Sequence, residues 1–120
     1  MIKQFTDFPG NVVAFACQGR VTEADYDAVL VPAVTNALRT HNKLRLYYET
    51  SADFALDPGA AWEDFKVGMQ SFTRWDRIAL VTDVEWIKHI AHFFGFLMPA
   101  TTKVFSLADA ARAREWILAI

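Results

Sequence analysis

Arg77-Ile-Ala-Leu-Val-Thr-Asp83 runs straight into Val84-Glu-Trp-Ile-Lys-His-Ile-Ala-His-Phe-Phe-Gly-Phe-Leu97. The first stretch is continuously apolar between charged ends, the pattern of a strand covered on both faces, and the second is an aromatic helix able to supply cover. A strand of that kind followed by such a helix predicts a layered α/β domain. Asp83 stands at the junction, where its carboxylate can accept from the free amides of the helix it precedes, an interaction worth about 1 kcal/mol.

The rest of the chain extends the alternation. Ile2 to Phe8 predicts a first strand, Pro9-Gly10-Asn11 a turn, and the apolar run Val12 to Cys17 a second strand, together an opening hairpin. Thr22 is placed to cap a helix with Asp25 three residues on. Tyr26, Val29, Leu30, Val34, Ala37 and Leu38 then recur on one face to about His41, with Pro32 a candidate kink. Lys43 to Thr50 alternates, with Leu44, Leu46 and Tyr48 on one side and Arg45, Tyr47 and Glu49 on the other. Asp57-Pro58 reads as N-cap and first turn of a helix to about Thr73, striped by Trp62, Phe65, Met69 and Phe72. After the helix from Asp83, a short strand Lys103 to Ser106 and a last helix capped by Ser106 with Asp109 complete the order ββαβαβαβα. The expected architecture is α/β, a single mixed, mostly parallel sheet with the opening strand at an edge and Val12 to Cys17 and Ile78 to Thr82 central.

Composition bounds the function. The chain has 120 residues, 53% of them apolar, which is the size of one domain around one core. A net charge of −2, with Lys and Arg spread along the chain, provides no electrostatic footprint for nucleic acid. The lone Cys17 allows no internal disulfide and fits a reducing cytoplasm. The opening Met1-Ile-Lys-Gln-Phe-Thr-Asp7 is too polar for a signal peptide, and no apolar run reaches membrane-spanning length, so a soluble protein is expected. No glycine-rich loop follows a strand, and no Ser or Cys is paired with an obvious His, which argues against nucleotide binding and nucleophilic catalysis.

Several segments together carry a resemblance that spans nearly the whole chain. Gly19-Arg-Val-Thr-Glu-Ala-Asp-Tyr26, Lys43-Leu-Arg-Leu-Tyr-Tyr-Glu49, Ala61-Trp-Glu-Asp-Phe-Lys-Val-Gly68, Arg77 to Asp83 with Trp86, and Phe105 followed by Ala110 to Trp116 resemble the SpoIIAA-like branch of STAS-fold proteins. The resemblance implies a fold related to the anti-sigma-factor antagonists. These are small bacterial modules that bind partner proteins and are regulated by phosphorylation of a serine at the start of the helix after the third strand. This chain departs there: the corresponding helix start is Asp57-Pro58-Gly59-Ala60, without a hydroxyl, and the nearest one upstream is Ser51.

Three sets of residues are candidates for chemistry. Glu85, His89 and His92 fall at i, i+4 and i+7 of one helix, a spacing that suits mixed metal ligands but also arises as a solvated polar stripe, and no metal or cofactor is assigned. Glu49 and Asp83 end two strands at the edge where open α/β sheets gather ligands; with His89 they form the polar site of an alternative reading, a small enzyme. Arg74 and Arg77 are placed to neutralise Glu49 or Asp76. The third set is aromatic. Trp62, Phe65, Met69, Trp86, Phe93, Phe94, Phe96 and Met98 crowd two helices, and Phe93 to Met98 holds more apolar residues than one helical face can bury. The favoured reading is therefore a non-catalytic binding or regulatory module using the 57–73 and 83–98 helices to engage a protein partner or an apolar small molecule. The partner expected first is a second copy of the chain in a homodimer.

Overall fold

The computed structural model describes residues 1–70, 73–97 and 99–120, without the side chains of residues 64, 65, 67–70 and 93–97. Its strands are β1 (Ile2–Gln4), β2 (Val12–Cys17), β3 (Arg20–Val21), β4 (Leu44–Thr50), β5 (Ala55–Leu56), β6 (Trp75–Val81) and β7 (Thr101–Phe105). Its helices are α1 (Glu23–Asp25), α2 (Val31–Thr40), α3 (Pro58–Gln70), α4 (Glu85–Leu97) and α5 (Ala110–Leu118). Five strands form one sheet in the order β1-β2-β4-β6-β7. β2, β4, β6 and β7 pair in parallel, and β1 pairs antiparallel with β2 at the edge. The expected mixed, mostly parallel sheet is what forms. Both apolar runs are internal, and the middle place belongs to β4.

Alternation along the strands distributes the core. Val13, Phe15, Cys17, Leu44, Tyr48 and Ile78 face one layer with Tyr26, Leu30, Val34 and Ile87, hereafter the near face. Val12, Ala14, Tyr47, Ala79 and Val81 face the other, packed on Ala113 and Ile117 of α5, the far face. Cover on both faces is why β2 and β6 are apolar at nearly every position.

Local chemistry explains the departures. β1 stops at Gln4, short of the expected Phe8, and Phe5 and Phe8 instead turn onto the far face beside Tyr47. Thr22 makes the expected reciprocal cap: Asp25 N–H donates to Thr22 Oγ1 and Thr22 N–H donates to Asp25 Oδ2. Pro32 leaves the expected 22–41 helix continuous but changes its winding. Without an N–H it cannot serve the carbonyl four residues back, and a π turn over Tyr26–Leu30, closed by Val31 N–H on Tyr26 O, precedes it. The short parallel pair β3–β5 has no periodic signal in the sequence. It is anchored by Gly19 at φ +58, a left-handed position that suits glycine, whose N–H points at Ser51 Oγ and Asp53 Oδ1.

Candidate functional site

α4 leaves the sheet at a pair of buried hydroxyls. Thr50 and Thr82, at the carboxyl ends of β4 and β6, are 1% and 0% exposed. Thr50 Oγ1 donates to Thr82 Oγ1 over 2.6 Å, and Thr82 Oγ1 also accepts from Val84 N–H at 3.0 Å. That fixes the angle at which α4 begins. Ile87 and Ala91, four residues apart, turn inward, while Trp86 and Ile90, one residue earlier on each turn, remain 44% and 46% exposed. Trp86 stacks on Phe54 with centroids 6.0 Å apart, Phe54 meets Tyr48 edge-on, and Tyr48 shares a 2.8 Å hydroxyl bond with Tyr26. An aromatic line thus runs from solvent into the near-face core. On α3, Trp62 is 58% exposed.

The aromatic set is therefore placed only in part. Trp62 and Trp86 are surface residues, whereas the side chains of Phe65, Met69, Phe93, Phe94 and Phe96, together with Met98 and Phe72, lie outside the described residues. Ile90 extends the surface and Phe54 lies buried beneath Trp86 as its support; neither is singled out by the sequence. Ile90 was findable from its four-residue spacing to Trp86, whereas Phe54 sits between strands with no periodicity to mark it.

The polar candidates take other partners. Asp83 does not cap the helix that follows it; Thr82 serves Val84 instead, and Asp83 Oδ1 accepts from Leu107 N–H, 24 residues on, at 3.2 Å. Leu107 opens the 3-10 turn leading into α5, where the expected cap Ser106 makes no side-chain bond to the backbone and donates to Asp109 Oδ2. Asp83 thus serves the first amide of the 3-10 turn that leads into α5, from the end of a neighbouring strand. Asp83→Asn, which keeps an acceptor, is expected to change stability little, while Asp83→Leu costs about 1 kcal/mol. Equal losses in urea melts of the two variants would assign the effect to the charge.

Glu49 is likewise engaged, accepting from Tyr47 Oη at 2.8 Å. Burial first and Glu49 second push the Tyr47 hydroxyl well above the ordinary tyrosine range, so it remains a donor. Glu49 and Asp83 end adjacent strands, but one is tied to Tyr47 and the other to the α5 entry, while His89 stands exposed on the near-side helix. Glu85, His89 and His92 are exposed, Glu85 pairs with Lys88 at 3.4 Å, and among the described residues no group of three His, Cys, Asp or Glu is arranged to hold a metal ion.

The arginines expected to neutralise acids cap helices instead. Arg74 donates to the carbonyls of Leu38, His41 and Asn42 at the end of α2. Arg77 does the same for Trp116 and Ala119 at the end of α5, and Asp76 is paired with Arg45 at 2.9 Å. Near Ser51 the loop is closed: Ser51 Oγ donates to Asp53 Oδ1, and this bond with Gly19 N–H holds the Asp53 carboxyl below its ordinary value. At the helix start without a hydroxyl, a Cβ on Gly59 would stand 2.7 Å from Glu23 Oε2, so α1 packs directly against the first turn of α3.

Among the described residues no helix is long and apolar enough to cross a membrane. A family model described as SpoIIAA-like matches residues 12–118. Among solved structures, an uncharacterised protein with a SpoIIAA-like fold from Shewanella loihica superposes with a TM-score of 0.78 at 23% identity, over 97% of this chain and 93% of that one. At that identity the likeness speaks for the fold alone. No curated protein matches.

Proposed function

We propose that this chain, which belongs to the SpoIIAA-like family, is a non-catalytic binding module whose working surface is the aromatic face of α3 and α4. The observation that carries the reading is the exposure of Trp62, Trp86 and Ile90 on those two helices, with Trp86 held in place by its stack on Phe54. Large apolar side chains fixed at the surface with their rotamers settled lose little entropy on association. The engagement of Glu49 with Tyr47 and of Asp83 with Leu107 also favours binding over acid–base chemistry, because neither carboxylate is left facing a cleft with His89. A bacterial cytoplasmic setting goes with this reading, and the buried Cys17 thiol suits it.

The partner assigned first is a second copy of the chain. One self-complementary patch covers itself in a two-fold dimer, and the run Phe93 to Met98 extends the α4 surface in sequence beyond Ile90. Sedimentation of wild type, Trp86→Glu and Phe96→Glu tests it. Both substitutions are expected to shift the protein towards monomer with the circular dichroism spectrum retained. A wild type that is monomeric at high concentration would remove the dimer and direct the search to a foreign protein or an apolar small molecule at the same surface.

A further inference from the structure

On the opposite side of the sheet, three aromatic rings surround a cation. The Arg114 guanidinium carbon lies 4.6 Å from the Phe8 ring centre, 5.0 Å from that of Phe5 and 5.7 Å from that of Tyr47. The rings pack on one another at 5.3–5.8 Å, and Arg114 Nη1 donates to Asp7 Oδ2 at 3.0 Å. Aromatic faces on several sides with a carboxylate at the rim are the elements from which proteins build receptors for organic cations. Here the cation comes from the chain itself.

We infer that Phe5, Phe8 and Tyr47, with Asp7, form a recognition site for guanidinium-type cations that the chain fills in cis with Arg114, and that this occupancy latches residues 5–8 over the far face of the sheet. The rings come from the segment after β1 and from β4 and already pack on one another, and the cation comes from α5, so Arg114 adds a tie between that segment and the helix. β1 ends at Gln4, and the Phe5 N–H makes the next bond to β2, on Ala14 O at 2.9 Å. Past Phe5 the segment is held by the Arg114 cluster and by the packing of Phe8 on Tyr47, before Val12 N–H closes the turn on Pro9 O. The Arg114 side chain is 36% exposed, so solvent and a small cation reach the site from outside. A planar guanidinium stacks on rings and bonds a carboxylate at once, which an ammonium does not reproduce. Opening the latch removes Phe5 and Phe8 from the Tyr47 ring, whose hydroxyl donates to Glu49.

Amide hydrogen exchange of wild type, Arg114→Ala and Arg114→Lys tests the latch. In Arg114→Ala the Phe5 and Val12 amides are expected to exchange about tenfold faster or more, while those of Ile78 to Val81 keep their protection, because the segment opens without the core. Methylguanidinium at tens of millimolar is expected to restore the Phe5 protection in Arg114→Ala, and sodium chloride at equal ionic strength is not. Arg114→Lys, which keeps the charge without the plane, is expected to fall between the other two. The inference is overturned if Phe5 exchange is unchanged in both variants, or if the Ile78 to Val81 amides accelerate in step with it, which makes Arg114 ordinary packing. Recovery in sodium chloride as readily as in methylguanidinium also overturns it, because screening then replaces recognition.

Discussion

Thr82→Val is expected to destabilise the protein by about 2 kcal/mol although it removes almost no volume, because buried donors left without an acceptor cost about 1–3 kcal/mol each. Thr82 is fully buried and its hydroxyl oxygen receives two bonds, from Thr50 and from the Val84 backbone. Valine fills the space but strands both donors. Thr50→Val removes only one donor and leaves Thr82 still serving Val84, so a loss of about 1 kcal/mol is expected. The double variant should lose less than the two single losses added, since removing both hydroxyls leaves only the Val84 amide unserved. Urea melts report these as shifts in midpoint at constant slope. Equal losses for the two single variants would mean that the Val84 bond contributes nothing. The same bond sets where α4 begins, so Thr82→Val should also disturb the stack of Trp86 on Phe54, linking an internal hydroxyl to the proposed binding surface.

What was legible in the sequence had periodic or nearest-neighbour causes. The run from Ile78 to Val81 is apolar at every position because a parallel strand inside a sheet is covered twice, and the alternation from Leu44 to Glu49 separates near-face from far-face residues as the structure does. The Thr22–Asp25 cap could be read because both partners lie within one turn. What was not legible depends on pairs far apart in sequence. Asp83 has the position and chemistry of a cap for the next helix, yet its acceptor is used 24 residues away, once β7 brings Leu107 beside it. Arg74 and Arg77 carry the expected positive charge, but nothing local distinguishes a carboxylate partner from the carbonyl end of a distant helix. The aromatic site lies between these cases. Helical spacing separates the inward Ile87 and Ala91 from the outward Trp86 and Ile90, whereas the ring on which Trp86 rests, Phe54, comes from an aperiodic connection.

Arg77→Ala is expected to cost about 2 kcal/mol, within the 1.5–3 kcal/mol range of a hydrogen bond to a charged group, and to loosen α5 selectively. Arg77 Nη1 donates to Trp116 O at 2.8 Å and to Ala119 O at 3.0 Å, and its guanidinium carbon lies 5.5 Å from the Trp116 ring centre. The last carbonyls of a helix have no partner within it, and a cation there satisfies both their bonding and the negative end of the helix dipole. Arg45 converges on the same end, donating to Ile117 O and Ala119 O. Because the two arginines share Ala119, removing both should cost a different amount from the two single losses added. The larger consequence is mechanical. α5 is a nine-residue helix, too short to persist without packing, and its Ala113 and Ile117 close the far-face core over Tyr47, Ala79 and Val81. Faster exchange of the Ala113 and Ile117 amides in Arg77→Ala, with the Val13 and Phe15 amides of β2 unchanged, is therefore the expected result. Arg77→Lys should recover only part of the protection, since one ammonium retains the charge but not the planar stack on Trp116. Stability within about 0.5 kcal/mol of wild type would show that water serves these carbonyls as well as the guanidinium does.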